Sequence, residues 1–347
     1  MTHLAILCVR NEAAFLLEWL AHHRAVGFDN FLIFSNDCQD GTDAMLDRLE
    51  EMGHLTHVRN TGPYDKGGIQ FTALKKAAKH PVVQQADWIL PLDVDEFVNI
   101  HCGDHTLTAL HEAIPDATAI TLTWRLFGAN GQVRYADQPV LDTFTQAAPT
   151  IMYWPWRAAM FKTLYRNNGI YKKPGVHRPR DPNSKKLAQA RWFDGNGKAL
   201  PEPFVNKRIF SNFGQNNYGL VQLNHYPLGA MESYVLKADR GRAVHSDDLL
   251  GLDYWIERNF NTDEDTSIQS LAGPRAAELG ALKADPVLFR IHAAAVEWRS
   301  ARFKALLQKE PFRALFGRLM MAAPSQPVPM KAAQFMVHYA NLERKSD

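Results

Sequence analysis

The sequence is poor in the features that mark several protein classes. Cysteine is scarce, and Cys8, Cys38 and Cys102 are odd in number and lack the spacing of a metal site. That argues against a disulfide framework, and the three read as reduced thiols of a cytoplasmic protein. Charge of one sign is also missing, since 39 Lys and Arg stand against 37 Asp and Glu, a formal net charge of +2. Without a basic footprint, nucleic acid is not an expected partner, and an anionic ligand must be met by local groups. No apolar run is long enough to span a bilayer. Met1-Thr2-His3-Leu4 lacks the basic segment and apolar stretch of a secretory signal. Repeats and low-complexity tracts are absent as well. What is present is the 46% apolar and 22% charged composition of a soluble enzyme, in a chain of 347 residues able to bury a core.

The first third alternates two hydrophobic periods. Leu4 to Val9 is a strand-length apolar run, and Glu12 to Val26 carries Leu16, Trp19, Leu20 and His23 at helical spacing before Gly27. Asn30 to Ser35, His54 to Arg59 and Trp88 to Leu92 read as further strands. Thr42 to Met52 and Ile69 to Lys79 read as the helices between them. Such alternation predicts an α/β fold with a mostly parallel sheet covered by helices on both faces. Ligands of such sheets bind outside the carboxyl ends of the strands. Arg10-Asn11-Glu12, Ser35-Asn36-Asp37 and Asp93 to Glu96 all fall at such ends. Further on, Ala117 to Trp124, Leu141 to Thr145, Ala158 to Tyr165 and Val221 to Leu223 read as strands of a mixed region. Lys172 to Phe204 reads as long loops, and after Pro227 the chain turns helical. This division predicts a catalytic domain over 1–228 and a helical region over 229–347 packed on it.

The acidic run Asp93-Val94-Asp95-Glu96 carries the clearest chemistry. In extended backbone Asp93 and Asp95 share a face, and two carboxylates side by side repel unless a cation lies between them. Mg²⁺ or Mn²⁺ favours oxygen ligands and completes its shell with phosphates and water, which suits a nucleoside diphosphate. The plainer reading is an acidic turn after a strand. Asn224-His225-Tyr226 follows another strand, and His225 suits a third metal ligand. His177 is a candidate for donor or acceptor contact, and Lys237, Arg240 and Arg242 for phosphate, unless they form a solvated helix face. Asp263-Glu264-Asp265 precedes a helix expected near Thr266. It serves either to complement that helix or as a general base. Trp124, Phe127, Trp154 and Trp156 offer sugar-stacking surface, although buried packing is the commoner role.

Taken in order, these residues match a family. Val9-Arg10-Asn11-Glu12-Ala13, Glu18-Trp19-Leu20 with His23 and Gly27, and Asp40-Gly41-Thr42 resemble the family 2-like and family 92-like glycosyltransferases of the GT-A fold. Leu92 to Phe97 is similar to that group's Asp-x-Asp signature, and Asn224-His225-Tyr226 with Lys237 and Arg240-Gly241-Arg242 to its C-terminal one. The resemblance spans roughly residues 4 to 270. It implies a GT-A domain with a Rossmann-like sheet, a UDP-sugar or related donor, a divalent cation (Mn²⁺ or Mg²⁺) and inversion at the anomeric carbon. Arg10, Asn11 and Glu12 are then expected by the nucleotide base, with Asn36, Asp37, Gln70, Asp93 and Lys237 completing the donor set. Asp93, Asp95 and His225 are the expected metal ligands, and Trp124 and His177 the acceptor contacts. Ser35 and Asn36 stand where family 2 enzymes often carry an acidic pair, so base recognition differs in detail. Asp265 is the first choice for the catalytic base and Asp181 the second.

The expected acceptor is a glycan or lipid-linked hydroxyl. Arg299 to Met321, with Arg302, Lys304, Arg313 and Arg318 among apolar residues, reads either as a helical cap or as a basic surface touching anionic lipid. The second reading would put the protein at the inner face of a membrane. Two other functions fit paired aspartates less well: an aspartyl-nucleophile phosphatase, whose motif usually lies at the first strand, and a carbohydrate- or nucleotide-binding protein without turnover.

Overall fold

The computed structural model describes residues 1–64, 67–241 and 250–346. The first apolar run forms β1 (His3–Val9), and the helically spaced residues after it form α1 (Ala13–Val26). Gly27 stops α1 with φ of 108°, a conformation glycine adopts without a Cβ penalty. The alternation continues through β2 (Asn30–Ser35), α2 (Thr42–Glu51), β3 (Thr56–Arg59), α3 (Ile69–Ala77), α4 (Pro81–Gln85) and β4 (Trp88–Leu92). β1 pairs in parallel with β2 and β4, and β2 with β3, in registers that bring their carboxyl ends to one rim. The α/β class expected from the alternation is the one the structure has.

Beyond β4 the chain builds β5 (Glu96–Ile100), α5 (Leu107–Ala113), β6 (Ala119–Leu126), α6 (Val140–Thr143), β7 (Gln146–Ala147) and β8 (Phe161–Arg166). It goes on through β9 (Tyr171–Lys173), β10 (Arg180–Pro182), β11 (Trp192–Phe193), α7 (Glu202–Asn206) and β12 (Val221–His225). The main sheet runs β3-β2-β1-β4-β8-β6-β12-β5, with β11 also beside β6. β8 is antiparallel to β4 and β6, β12 is parallel to β6, and β5 is antiparallel to β12. The β4–β8 ladder stops at Ile89, and Pro91, which lacks a donor, falls just beyond it.

Two sequence expectations change here, and one strand appears that the sequence did not suggest. The strand expected over Leu141–Thr145 is a helical turn, because the N–H groups of Val140 and Leu141 donate to the Glu18 carboxylate at 2.7 and 3.1 Å instead of to a neighbouring strand. The loops expected over Lys172–Phe204 contain a short β9–β10 hairpin and β11. β5, which begins at the last residue of the acidic run, forms only because β12 arrives from far along the chain to pair with it.

The C-terminal part supplies α8 (Met231–Arg240), α9 (Leu252–Ile256), β13 (Asp263–Glu264), α10 (Ala272–Lys283), α11 (Pro286–Leu307), α12 (Glu310–Met321) and α13 (Met330–Ser346). Leu282, Leu288 and Ala295 of α10 and α11 join the main core with α1. Tyr234, Trp255, Leu306, Leu315 and Leu319 form a second cluster among α8, α9, α11 and α12. The basic segment from Arg299 therefore turns Leu306, Leu315 and Leu319 inward, and Arg302 pairs with Asp239 at 2.6 Å, while Met320 and Met321 stay exposed. Among the described residues no helix is long and apolar enough to cross a membrane.

Candidate active site

The acidic run does not continue β4. It forms a tight turn in which the Glu96 N–H donates to the Asp93 carbonyl at 3.1 Å, so Asp93 and Asp95 do not share the extended face expected of them. Asp93 accepts from Gln70 Nε2 at 3.0 Å on one carboxylate oxygen and pairs with Lys162 Nζ at 2.9 Å through the other. Asp95 instead meets Lys237 Nζ at 2.6 Å and lies 3.8 Å from His225 Nε2. The partners come from distant elements because β5 pairs with β12, setting Glu96 opposite His225, and the Tyr226 N–H donates to the Asp95 carbonyl at 2.8 Å.

Glu96 is the buried hub of this turn. It accepts from Trp124 Nε1 at 2.7 Å and from the Asp93 N–H at 2.9 Å, and Lys162 Nζ lies 3.4 Å away. Burial pushes its carboxyl up to about 8 against the pull of Lys162. For Asp95 burial acts in the same direction, but Lys237 and His225 outweigh it and hold the group down at about 2. Burial lowers His225 to about 3 and His177 to about 4, so both imidazoles are neutral at pH 7.

A cleft of about 370 Å³ opens over this turn. Arg10, Arg157, Lys237, Arg240 and Arg258 line it against Glu12, Asp93 and Asp95, leaving it electropositive. Arg240 forms an ion pair with Glu12 and donates to the Arg10 carbonyl at 3.0 Å, tying α8 to the end of β1. Of the residues predicted from sequence, Arg10, Glu12, Asn36, Gln70, Asp93, Asp95, Trp124, His177, His225 and Lys237 all line the cleft. Trp124 packs against His225 with ring centroids 4.3 Å apart and the ring planes tilted by 40°, and His177 donates from Nδ1 to the Phe161 carbonyl at 3.1 Å.

Other predicted residues lie elsewhere. Asn11 has φ of 56° and accepts from the Gln39 N–H at 2.7 Å, on the wall of a neighbouring cavity. Asp37 is exposed and accepts from the Tyr64 hydroxyl at 3.0 Å. Asp265 lies on the opposite face of β12 from His225, where it accepts from Gln222 Nε2 at 2.9 Å and from Ser267 Oγ at 2.6 Å. The cause is strand alternation: Gln222 and Asn224 point one way and His225 the other. Asp181 is exposed on the β9–β10 hairpin and pairs with Lys173 at 2.5 Å. Phe127 is core, whereas Trp154 and Trp156 pack on each other with centroids 5.1 Å apart. Arg242 lies outside the described residues. Sequence reading missed Lys162, fully buried on β8, although a lysine inside the apolar run Phe161 to Tyr165 was its signal.

Among the described residues no three His, Cys, Asp or Glu side chains converge as a metal cage. Both Asp93 oxygens are engaged, which leaves Asp95 Oδ1 and His225 Nε2 as the donor pair facing the cleft. Buried His225 Nδ1 has no hydrogen-bond partner. With the proton on that atom, the Nε2 lone pair faces a carboxylate, an arrangement that a cation relieves. Two protein ligands suffice for a Mg²⁺ or Mn²⁺ ion that takes its remaining ligands from phosphate and water.

A rice (Oryza sativa subsp. japonica) glycosyltransferase family 92 protein is 24% identical over 143 residues, covering 40% of this chain and 23% of its own length. A castor bean (Ricinus communis) member is 26% identical over 98 residues, covering 27% of this chain and 16% of its own length. The chain thus spans about a quarter or less of the curated relatives it matches. Crystal structures of S. aureus TarS 1-349 with UDP and with UDP-GlcNAc align at 15% identity. They cover 89% and 88% of this chain and 92% and 84% of theirs, with TM-scores of 0.34 and 0.33. The model of glycosyltransferase family 92 matches residues 5–186, more than half of the sequence, and the chain belongs to that family.

Proposed function

We propose that this protein transfers a sugar from a nucleoside-diphosphate sugar, with UDP favoured as the nucleotide, to a hydroxyl of a glycan or lipid-linked acceptor. The observation that carries the reading is the Asp93–Glu96 turn, opening at a strand end into an electropositive cleft between β1, β12 and α8. Arg10, Lys237, Arg240 and Arg258 suit a diphosphate, and charge-assisted contacts there strengthen as the bond to the sugar breaks and negative charge builds on the leaving group. Asp95 and His225 would hold the divalent cation, which when bound adds Lewis-acid stabilisation of that charge. Gln70 and Lys162 fix the Asp93 carboxylate at 3.0 and 2.9 Å, so its part is to orient the turn and meet the donor. Trp124 and His177 form an apolar and neutral wall suited to a sugar ring. For an inverting reaction the acceptor proton needs a carboxylate, and Asp181 is the better candidate of the two because its hairpin adjoins Val176 and His177 of the cleft. The engaged state of Asp93 disfavours the phosphatase reading, which requires a free nucleophile.

The test is a thermal-shift screen of nucleoside diphosphates and their sugars with and without Mn²⁺, followed by an assay of nucleoside diphosphate release. Stabilisation by a nucleotide with Mn²⁺ and release from its sugar are expected. Hydrolysis of generic phosphate esters would replace the reading with a phosphatase, and binding without product would replace it with a binding protein.

A further inference from the structure

A second cavity, of about 110 Å³, lies behind the cleft, between α1, α8, α11 and the segment 132–144. Glu12, Asp95, Lys237 and Arg240 stand in the walls of both. Its remaining surface is largely apolar, with Phe15, Phe144, Leu228 and Trp298 among the lining residues. Its charges do not balance. Three carboxylates line it, and each is taken by a neighbour: Glu12 by Arg240, Asp95 by Lys237 and Asp239 by Arg302. Two further cations, Arg134 and Arg299, are left over.

Arg299 is the informative one. It is only 6% exposed, and among the described residues it forms no ion pair. Its guanidinium lies 4.5 Å from the Phe15 ring centre and 4.6 Å from that of Tyr135, held by aromatic faces. Nη2 donates to Ser233 Oγ at 2.9 Å, but buried Nε has no partner. A buried charge is normally paired, and aromatic faces offset only part of its lost hydration. Asp40 and Glu232 act on it only through space, with no contact ion pair among the described residues; a cation so stripped of water and facing a void has the features of a binding group awaiting a closer counter-ion.

We infer that this cavity binds a small organic anion, a carboxylate or phosphate ester carrying an apolar body. The charged group meets Arg299 and Ser233, and the apolar body fills the space among Phe144, Leu228 and Trp298. The cavity shares the wall of Glu12, Asp95, Lys237 and Arg240 with the cleft, but Arg299 and Ser233 line the cavity and not the cleft, so the inference does not depend on what the cleft binds.

The experiment titrates octanoate, octyl phosphate and neutral octanol into the full chain by isothermal calorimetry. At least one anion is expected to bind one to one, about tenfold tighter than octanol, as for a charge-assisted hydrogen bond. Arg299→Met keeps the apolar stem and should erase that preference while leaving octanol binding intact, with a thermal melt to verify folding. Ala136→Trp, at an exposed lining position, should weaken all three without touching Arg299. Equal affinity for anions and octanol, or a preference that survives in Arg299→Met, overturns the inference. So does the absence of binding by either anion.

Discussion

The two faces of β12 carry polar clusters that look alike as composition and differ as chemistry. On one face His225 joins Trp124, Glu96, Asp95, Lys237 and, through Glu96, Lys162, all on or beneath an open cleft. On the other, Gln222 and Asn224 join Asn99, Tyr226, Asp265 and Ser267 in a network of amides and hydroxyls. The second network holds its carboxylate low: burial opposes the charge of Asp265, but Ser267, Gln222 and Arg125 outweigh it. The first network leaves donor atoms facing open space and a glutamate with a raised pKa. A cluster whose carboxylate is bonded by its own neighbours braces the fold, whereas one with donor atoms left open at a cavity is available for a ligand.

Substitutions on the two faces test that contrast. The largest effect is expected from Lys162→Met, which leaves Asp93 and Glu96 without their buried cation. A loss of about 3–5 kcal/mol in chemical denaturation is expected, partly recovered by adding Glu96→Gln. A loss under about 1 kcal/mol would mean that the cleft-face network is not electrostatically held. Next comes Asp95→Asn, for which turnover of the sugar nucleotide should fall at least about 100-fold, the scale of losing one group that stabilises the leaving charge. Turnover within threefold of the parent would remove Asp95 from the mechanism.

Glu18 offers a pH test on the side of β12 away from the cleft. Burial raises its carboxyl from 4.5 to about 7, against the N–H groups of Val140 and Leu141 that bond it. An acid whose folded pKa is raised contributes stability at low pH and loses it as pH rises from the unfolded value through the folded one. Glu18→Gln does not titrate, so its Tm relative to the parent should climb between about pH 4.5 and 7 and then level. A difference that is flat across that range would show the carboxyl to be unshifted. The smallest effect is reserved for Asp265→Asn, which keeps the bonds to Ser267 and Gln222 in part. It should cost about 1 kcal/mol and leave turnover within about twofold. A loss of turnover matching that of Asp95→Asn would return the base to this face.

Much of the site was legible in the sequence, for identifiable reasons. The strand ends after Val9, Ser35 and Leu92 were readable because a buried parallel strand is a plain apolar run, and the polar residues that follow it must lie on the rim. That brought Arg10, Glu12, Asn36, Asp93 and Asp95 to one cleft. His225 was readable as the end of a later strand, although nothing local showed that β12 pairs with β5 and so faces the acidic turn. Lys162 and Asp265 were misjudged for one shared reason: which face a strand residue occupies follows from register, and register is set by partners remote in sequence.

By itself, then, the sequence determined the class of fold, the rim on which the site lies, and the carboxylates and basic groups that gather there. Periodicity and strand-end polarity are local properties and survive in one dimension. Tertiary structure alone decided that the acidic run turns back instead of extending, sending Asp93 to Lys162 and Asp95 to Lys237 and His225. It also separated Asp265 from the cleft and, among the described residues, left Arg299 buried without a contact ion pair beside a second cavity. Those outcomes depend on long-range pairing and burial, which determine whether a charge meets a partner, water or a void.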